Sequence, residues 1–115
     1  MDKIANLALS LKEDMIKDRR YFHSHPETGW FTFFTTAVLA KRLSELGYEV
    51  KLGEEVVKSD ARLGVGSKEQ CQKAIERAKS LLNPDEAKYL ECMKDGLTGL
   101  TAFIDTKRPG KFSAF

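Results

Sequence analysis

The sequence is poor in several features by which protein classes are recognised. Its two cysteines, Cys71 and Cys92, lack CxxC spacing, which argues against a disulfide framework and predicts two reduced, buried side chains. No apolar run approaches the ~18 residues of a membrane span, so we expect no membrane association. His23 and His25 are the only histidines, which leaves few imidazoles for a metal site.

An excess of charge of one sign is also missing. Nineteen lysines and arginines face seventeen aspartates and glutamates, for a formal net charge of +2, and the two kinds are interleaved along the chain. Without a basic stripe, we expect no nucleic acid as a partner. The opening residues carry an early acid and no long apolar core, which argues against a secretory signal and predicts a cytoplasmic protein.

What is present is the composition of one globular domain with an α/β pattern. A chain of 115 residues, 42% hydrophobic and 31% charged, suffices for one core. Apolar positions at three- and four-residue steps predict an amphipathic helix over about 2–24 and a second, mostly buried one over about 31–46. We group them as two packing helices within 1–47, with Pro26 ending the first.

Two strand-like patterns follow, separated by a helical insertion. Alternating side chains after Gly47 predict a short strand within 48–57. Residues 98–115 alternate on both sides of a Lys-Arg-Pro-Gly turn, which predicts a C-terminal β-hairpin whose last strand is 112–115. The apolar pattern is still running at Phe115, so we expect a piece of a longer domain.

The helical insertion is predicted over 67–95. Ser67 and Gln70 have the spacing of a capping box, and an apolar period of about 15 residues follows them. Asn83-Pro84 then supplies a second start signal. About four helices are therefore expected in the whole chain.

Functional side chains are densest at 19–36, between the first two predicted helices. This stretch holds both histidines, the only tryptophan and four of the seven phenylalanines. The residues that we single out as its motif are Arg19, Arg20, His23, His25, Pro26, Glu27 and Trp30.

This motif resembles the opening of a family of metal-dependent amidohydrolases related to aminoacylases, carboxypeptidases and auxin-conjugate hydrolases. Later segments, in the same order, are similar to its aminobenzoyl-glutamate hydrolase branch and the A-type subunits there. Those segments are Lys51-Leu52-Gly53, Arg62-Leu63-Gly64, Gly96-x-Thr98-Gly99 and Asp105-Thr106-x-Arg108-Pro109-Gly110.

The resemblance implies a fold and an activity. Family members carry two divalent metal ions, zinc or manganese, in a three-layer α/β catalytic domain and hydrolyse amide bonds such as that of aminobenzoyl-glutamate. The chain resembles the N-terminal part of that domain, and the family's metal-ligand and catalytic motifs have no match within 1–115. We therefore assign no catalytic residue, no metal ligand and no cofactor to this chain, and expect it to be inactive alone.

Two interpretations of His23, His25 and Glu27 compete. Imidazole and carboxylate are ordinary zinc ligands, but a turn centred on Pro26 would spread the three side chains, so we favour a structural role. In that role His23 bonds a helix-end carbonyl. Glu27 either pairs with one of the two preceding arginines or accepts hydrogen bonds from the amides that begin the second helix.

The remaining candidates favour structural interpretations as well. A nucleophilic cysteine needs a partner base and electropositive surroundings, and both cysteines lie in apolar helical patterns. Trp30 and the phenylalanines that follow it are more typical of a core than of a stacking platform. Gly64-x-Gly66 lacks the lysine of a phosphate loop and indicates a flexible turn.

A second function class remains open beside the amidohydrolase fragment. An unpaired apolar strand at 112–115 and a broadly apolar second helix would expose surface that a partner could cover. The chain could then be a non-catalytic, self-associating structural or interaction module. The expected partners are accordingly the remainder of the enzyme or a second copy of the chain.

Overall fold

Five α-helices and two short β-strands make up the computed structural model, which describes residues 2–115. The helices are α1 (Asp2–Ser10), α2 (Lys12–His23), α3 (Phe33–Glu45), α4 (Lys68–Leu81) and α5 (Pro84–Ala87). The strands are β1 (Glu49–Leu52) and β2 (Leu100–Phe103), and 3₁₀ segments lie at Gly53–Glu55, Ser59–Ala61 and Lys88–Gly96. Within the described range, no helix has the length and apolar character to cross a membrane.

The first predicted helix, over 2–24, is divided at Leu11. The Ser10 hydroxyl donates to the Leu7 carbonyl at 2.6 Å, and the Leu11 amide bonds the Ala8 carbonyl three residues back. Both contacts tighten the turn and draw it away from regular α-helical bonding. This division explains why five helices form where about four are expected.

The apolar face of α1 and of the first half of α2 is largely exposed, although its period suggests packing; Tyr21 and Phe22, at the end of α2, do pack against the core. Neither helix has a buried residue, and Ile4 and Met15 are 73% and 65% exposed. The radius of gyration is 16.3 Å, whereas a compact domain of this length has about 13 Å. The amphipathic pattern therefore identifies helices correctly but not what they pack against.

The core is built around α3. Phe33, Phe34 and Val38 are at most 1% exposed, and α3 contacts both strands as well as α4 and α5. Cys71 and Met93 join the same buried cluster. Each large apolar side chain buried there contributes about 1.5–3 kcal/mol of transfer free energy, so α3 is the element that the rest of the chain covers.

β2 pairs with a different strand from the one that the sequence predicts. β2 pairs antiparallel with β1, with Leu52 opposite Leu100, and residues 112–115 are in no strand. After β2 the chain turns, because Asp105 accepts a hydrogen bond from the Lys107 amide and Lys107 has φ 58°. β1 offers a partner in register on the core, so β2 pairs there instead of with the last four residues.

Both predicted helix starts in the insertion are formed. Ser67 and Gln70 make a reciprocal capping box at α4, and Asn83 and Glu86 make another at α5. The second helix of the insertion predicted over 67–95 ends early, because α5 passes into the 3₁₀ segment after one turn.

Candidate functional site

The junction between α2 and α3, residues 24–32, is fixed by Glu27. One carboxylate oxygen accepts from the Phe34 amide at 2.7 Å and the other from the Thr35 amide at 2.9 Å. These amides belong to the first turn of α3, where backbone donors have no partner within the helix and the helix dipole favours a negative charge. Thr32, at the N-cap position, makes no side-chain cap. Glu27 therefore caps α3, which is the second of its two structural interpretations.

The histidine that meets a helix-end carbonyl is His25 and not His23, so that prediction is wrong. His25 Nδ1 lies 3.0 Å from the Tyr21 carbonyl oxygen and 2.9 Å from Ser24 Oγ, and its ring is 4.8 Å from the Phe34 ring. His23 is exposed as the last residue of α2. The backbone that precedes a proline leaves the helix, and this directs the His25 ring back over the last helical turn.

A different arginine from the predicted pair reaches the junction. Arg19 and Arg20 are exposed on α2, and within residues 2–115 neither forms an ion pair with Glu27. Instead, Arg77 of α4 donates from Nη1 to the Pro26 carbonyl oxygen at 2.9 Å. Sequence reasoning missed this contact because it joins positions 51 residues apart.

Trp30 connects the junction to the loop before α4. Its Nε1 donates to the Leu63 carbonyl oxygen at 2.8 Å, and the Arg62 guanidinium lies 5.6 Å from its ring centroid, within cation–π range. Arg62 also donates from Nη1 to the Asp95 carbonyl oxygen at 2.7 Å. The half-buried indole thus packs as part of the scaffold, and one face of it is already occupied.

Thr98 joins the junction to the strand pair. Its hydroxyl donates to the Trp30 carbonyl oxygen at 3.1 Å, and its own carbonyl accepts from the Thr36 hydroxyl at 3.0 Å. Both threonines are buried, where a hydrogen bond left unmade is costly. Gly96, at φ 83°, lies close beside them, and a Cβ there would stand 3.2 Å from the Trp30 carbonyl oxygen.

The segments that carry the family resemblance therefore converge in space. Arg62, Thr98 and the motif around Glu27 contact one another or a shared neighbour, although the chain separates them by more than 30 residues. Periodicity and propensity cannot pair such distant positions. The order of the family segments was the signal that marked Arg62 and Thr98.

The two cysteines differ in environment. Cys71 is buried as predicted, whereas Cys92 is exposed, which corrects that half of the prediction; both are free thiols. Burial raises the pKa of the Cys71 thiol, the Asp95 carboxylate raises it further, and Arg62 opposes them. A raised pKa reduces the thiolate fraction near neutral pH, so Cys71 is a poor nucleophile.

The described residues do not make a metal centre. No three His, Cys, Asp or Glu side chains among residues 2–115 are grouped so as to hold an ion. Both oxygens of Glu27 accept amide hydrogen bonds, and His25 Nδ1 faces a carbonyl and a hydroxyl. The side chains of His25, Glu27 and Trp30 bond backbone groups of the scaffold, whereas Arg19, Arg20 and His23 are exposed.

Comparison with known proteins agrees with this convergence of segments. The chain is 35% identical over all 115 residues to the A-type subunit of p-aminobenzoyl-glutamate hydrolase from Escherichia coli, and 35% identical over 105 residues to indole-3-acetyl-aspartic acid hydrolase of Enterobacter agglomerans. A crystal structure of an aminobenzoyl-glutamate utilization protein from Klebsiella pneumoniae matches 92% of the chain with a TM-score of 0.84 at 36% identity. The chain is homologous to a segment of the aminobenzoyl-glutamate hydrolase family.

Homology to this hydrolase family covers the α/β fold of the chain as well as its sequence. No family model matches the chain. The chain spans about a quarter of the length of the relatives that it matches: 26% of the Escherichia coli protein, 24% of the Enterobacter protein and 26% of the Klebsiella chain. It therefore corresponds to one part of those longer proteins.

Proposed function

We propose that this chain is part of a metal-dependent amidohydrolase that cleaves an amide bond such as the one in aminobenzoyl-glutamate, and that it is inactive alone. The observation that carries the proposal is identity of 35% across the whole chain to a hydrolase of which it spans only 26%. Two divalent ions, zinc or manganese, would be bound by the remainder of the enzyme, because Glu27 and His25 are engaged in scaffold contacts and residues 2–115 contain no group of three His, Cys, Asp or Glu side chains that could hold an ion.

The part played by residues 2–115 in that enzyme would be to hold a flank of the catalytic domain in place. The Glu27 cap sets where α3 begins, and Trp30 and Thr98 tie the start of α3 to the strand pair. We place the enzyme in the cytoplasm, with the remainder of the hydrolase as the partner of this segment.

A chimera tests the proposal. In it, residues 1–115 replace the matching quarter of the Escherichia coli protein, and release of aminobenzoate from aminobenzoyl-glutamate is followed. We expect the chimera to hydrolyse the substrate, to lose activity on chelation and to regain it with zinc or manganese. We expect the isolated chain to show no activity under the same conditions. A folded but inactive chimera, or an active isolated chain, would contradict the proposal.

A second candidate function is self-association without catalysis, and exposed apolar side chains favour it. Ile4, Leu7 and Leu9 of α1 are 73%, 62% and 68% exposed, and Phe112 is 78% exposed. Ile4 and Leu7 lie three residues apart on one face of α1, and exposed apolar patches are a common feature of protein interfaces. Light scattering across a range of concentrations tests this candidate, and a monomer at the highest concentration would count against it.

A further inference from the structure

A cleft of about 770 Å³ opens between α4 and the 3₁₀ segments Ser59–Ala61 and Lys88–Gly96. Its volume is in the range of sites that hold small organic molecules. None of the contacts that fix the α2–α3 junction fills it. The composition of its floor and rim indicates which chemical class of ligand the cleft suits.

The floor of the cleft is apolar. Cys71 and Ile75, one turn apart on the same face of α4, line it together with Leu90. Cys71 and Leu90 are only 8% and 4% exposed, so the surface that they present is rigidly packed from behind. Ile75 is partly exposed and supplies most of the apolar surface that a ring or short chain placed there would remove from water.

The rim carries more positive than negative charge. Four cations and two carboxylates line the cleft: Arg62, Lys68, Lys79 and Lys94, with Glu91 and Asp95. Glu91 already pairs with Lys94 at 3.2 Å. Lys68 and Lys79 lie on the cleft face of α4, about 16 Å apart along its axis, and neither forms an ion pair within residues 2–115.

One wall of the cleft is held by hydrogen bonds of Arg62 within the chain. Arg62 donates to the Ser59 carbonyl oxygen at 3.2 Å, to Ser59 Oγ at 3.2 Å and to the Asp95 carbonyl oxygen at 2.7 Å. Its guanidinium also stacks above Trp30. A fixed wall reduces the side-chain entropy that binding costs.

We propose that this cleft binds a small organic anion, with its apolar body on the Cys71, Ile75 and Leu90 floor and its carboxylate at the lysine rim. The excess of cations on the rim favours an anionic ligand, and the apolar floor favours a ligand with an apolar body. The proposal concerns binding alone, so it holds or fails independently of amide hydrolysis.

Benzoate is the probe, followed by amide chemical shifts in a titration of the intact chain. We expect shifts concentrated at residues that line the cleft, and affinity about tenfold greater than for acetate, which has the charge without the body. Affinity for neutral benzamide should be about two- to fivefold weaker than for benzoate, which is the range of an exposed charge interaction. Equal binding of acetate and benzoate would overturn the proposal, as would shifts scattered over the surface.

Matched lysine variants on α4 test the rim. At least one of Lys68→Gln and Lys79→Gln should weaken benzoate binding about two- to fivefold, because a single carboxylate contacts only one of two lysines that lie about 16 Å apart. Lys73→Gln is the control, because Lys73 is exposed on the same helix, pairs with Glu69 and does not line this cleft. Circular dichroism checks that each variant is folded. If Lys73→Gln weakens binding as much as the more affected of the other two, the attraction is that of overall charge and the cleft is not the site.

Discussion

Replacing Glu27 tests whether the junction works as a helix cap. Its two oxygens accept the Phe34 and Thr35 amides at 2.7 and 2.9 Å, so Glu27→Ala leaves two first-turn donors of α3 without their carboxylate. Glu27→Gln keeps one acceptor oxygen and loses the charge. We expect both variants to be destabilised, with alanine the more severe.

The magnitude follows from the contacts. Removing a capping side chain costs about 0.5–2 kcal/mol, and a hydrogen bond to a charged group contributes about 1.5–3 kcal/mol. The site is half-buried, and water can reach part of it, so we expect about 2–3 kcal/mol for Glu27→Ala. For Glu27→Gln, which retains one bond, we expect about 1–1.5 kcal/mol. Domains have only about 5–15 kcal/mol of total stability, so the alanine variant should show a clear loss.

Urea unfolding followed by circular dichroism measures both changes as shifts in midpoint. Glu76→Ala is the control, because Glu76 is an exposed carboxylate within α4; it should change the free energy of unfolding by less than about 0.5 kcal/mol. If Glu27→Ala falls within the same range as Glu76→Ala, the carboxylate does not cap α3 and the reasoning is refuted. Loss of activity in the chimera with unchanged stability would likewise contradict a structural role.

Two further predictions concern a glycine and a buried thiol. Gly53→Ala should cost about 3 kcal/mol or more in urea unfolding, because a Cβ there, at φ 63°, would stand 1.9 Å from the Cys92 carbonyl oxygen. Gly47→Ala is the control: Gly47 also has a positive φ but open space around it, so this substitution should cost only about 1–2 kcal/mol. Equal costs for the two substitutions would contradict the predicted clash at Gly53. Cys71 should react with a thiol reagent at least tenfold more slowly than the exposed Cys92 near pH 8, as measured by mass spectrometry of the modified peptides. Folding raises the pKa of the Cys71 thiol. The contribution of this thiol to stability is therefore present below its unfolded pKa and lost as pH rises through its folded pKa. Cys71→Ala should accordingly reduce the loss of stability at alkaline pH.

Local chemistry explains which parts of the fold are predictable from sequence. The Ser67–Gln70 capping box forms where its spacing predicts. Asn83 caps α5 at the predicted start, and the structure adds a second capping box with Glu86. The α/β class was also predicted correctly. By contrast, the pairing of β2 with β1 joins residues about 50 apart, and the alternation of 98–115 contains no information about which strand lies alongside.

The candidate site was predictable in location but not in detail. Glu27 had two interpretations, and the geometry of the turn at Pro26, which no periodicity describes, decided between them. The same turn places His25 rather than His23 over the helix end. Arg77 and Thr98 could not be assigned to the junction from spacing, because their contacts depend on how α4 and β2 fold back onto it.

The two threonine bonds at the strand pair also set the order in which the chain can fold during synthesis. Thr36 and Trp30 bond a residue that follows them by 62 and 68 positions. At about 5–20 residues per second, the ribosome adds those positions over about 3 to 14 s. Until β1, α4 and α5 have been made, the apolar side of α3, including Phe33 and Phe34, has no later element to cover it. Nascent chains of this protein should therefore be substrates for chaperones that bind exposed aromatic segments.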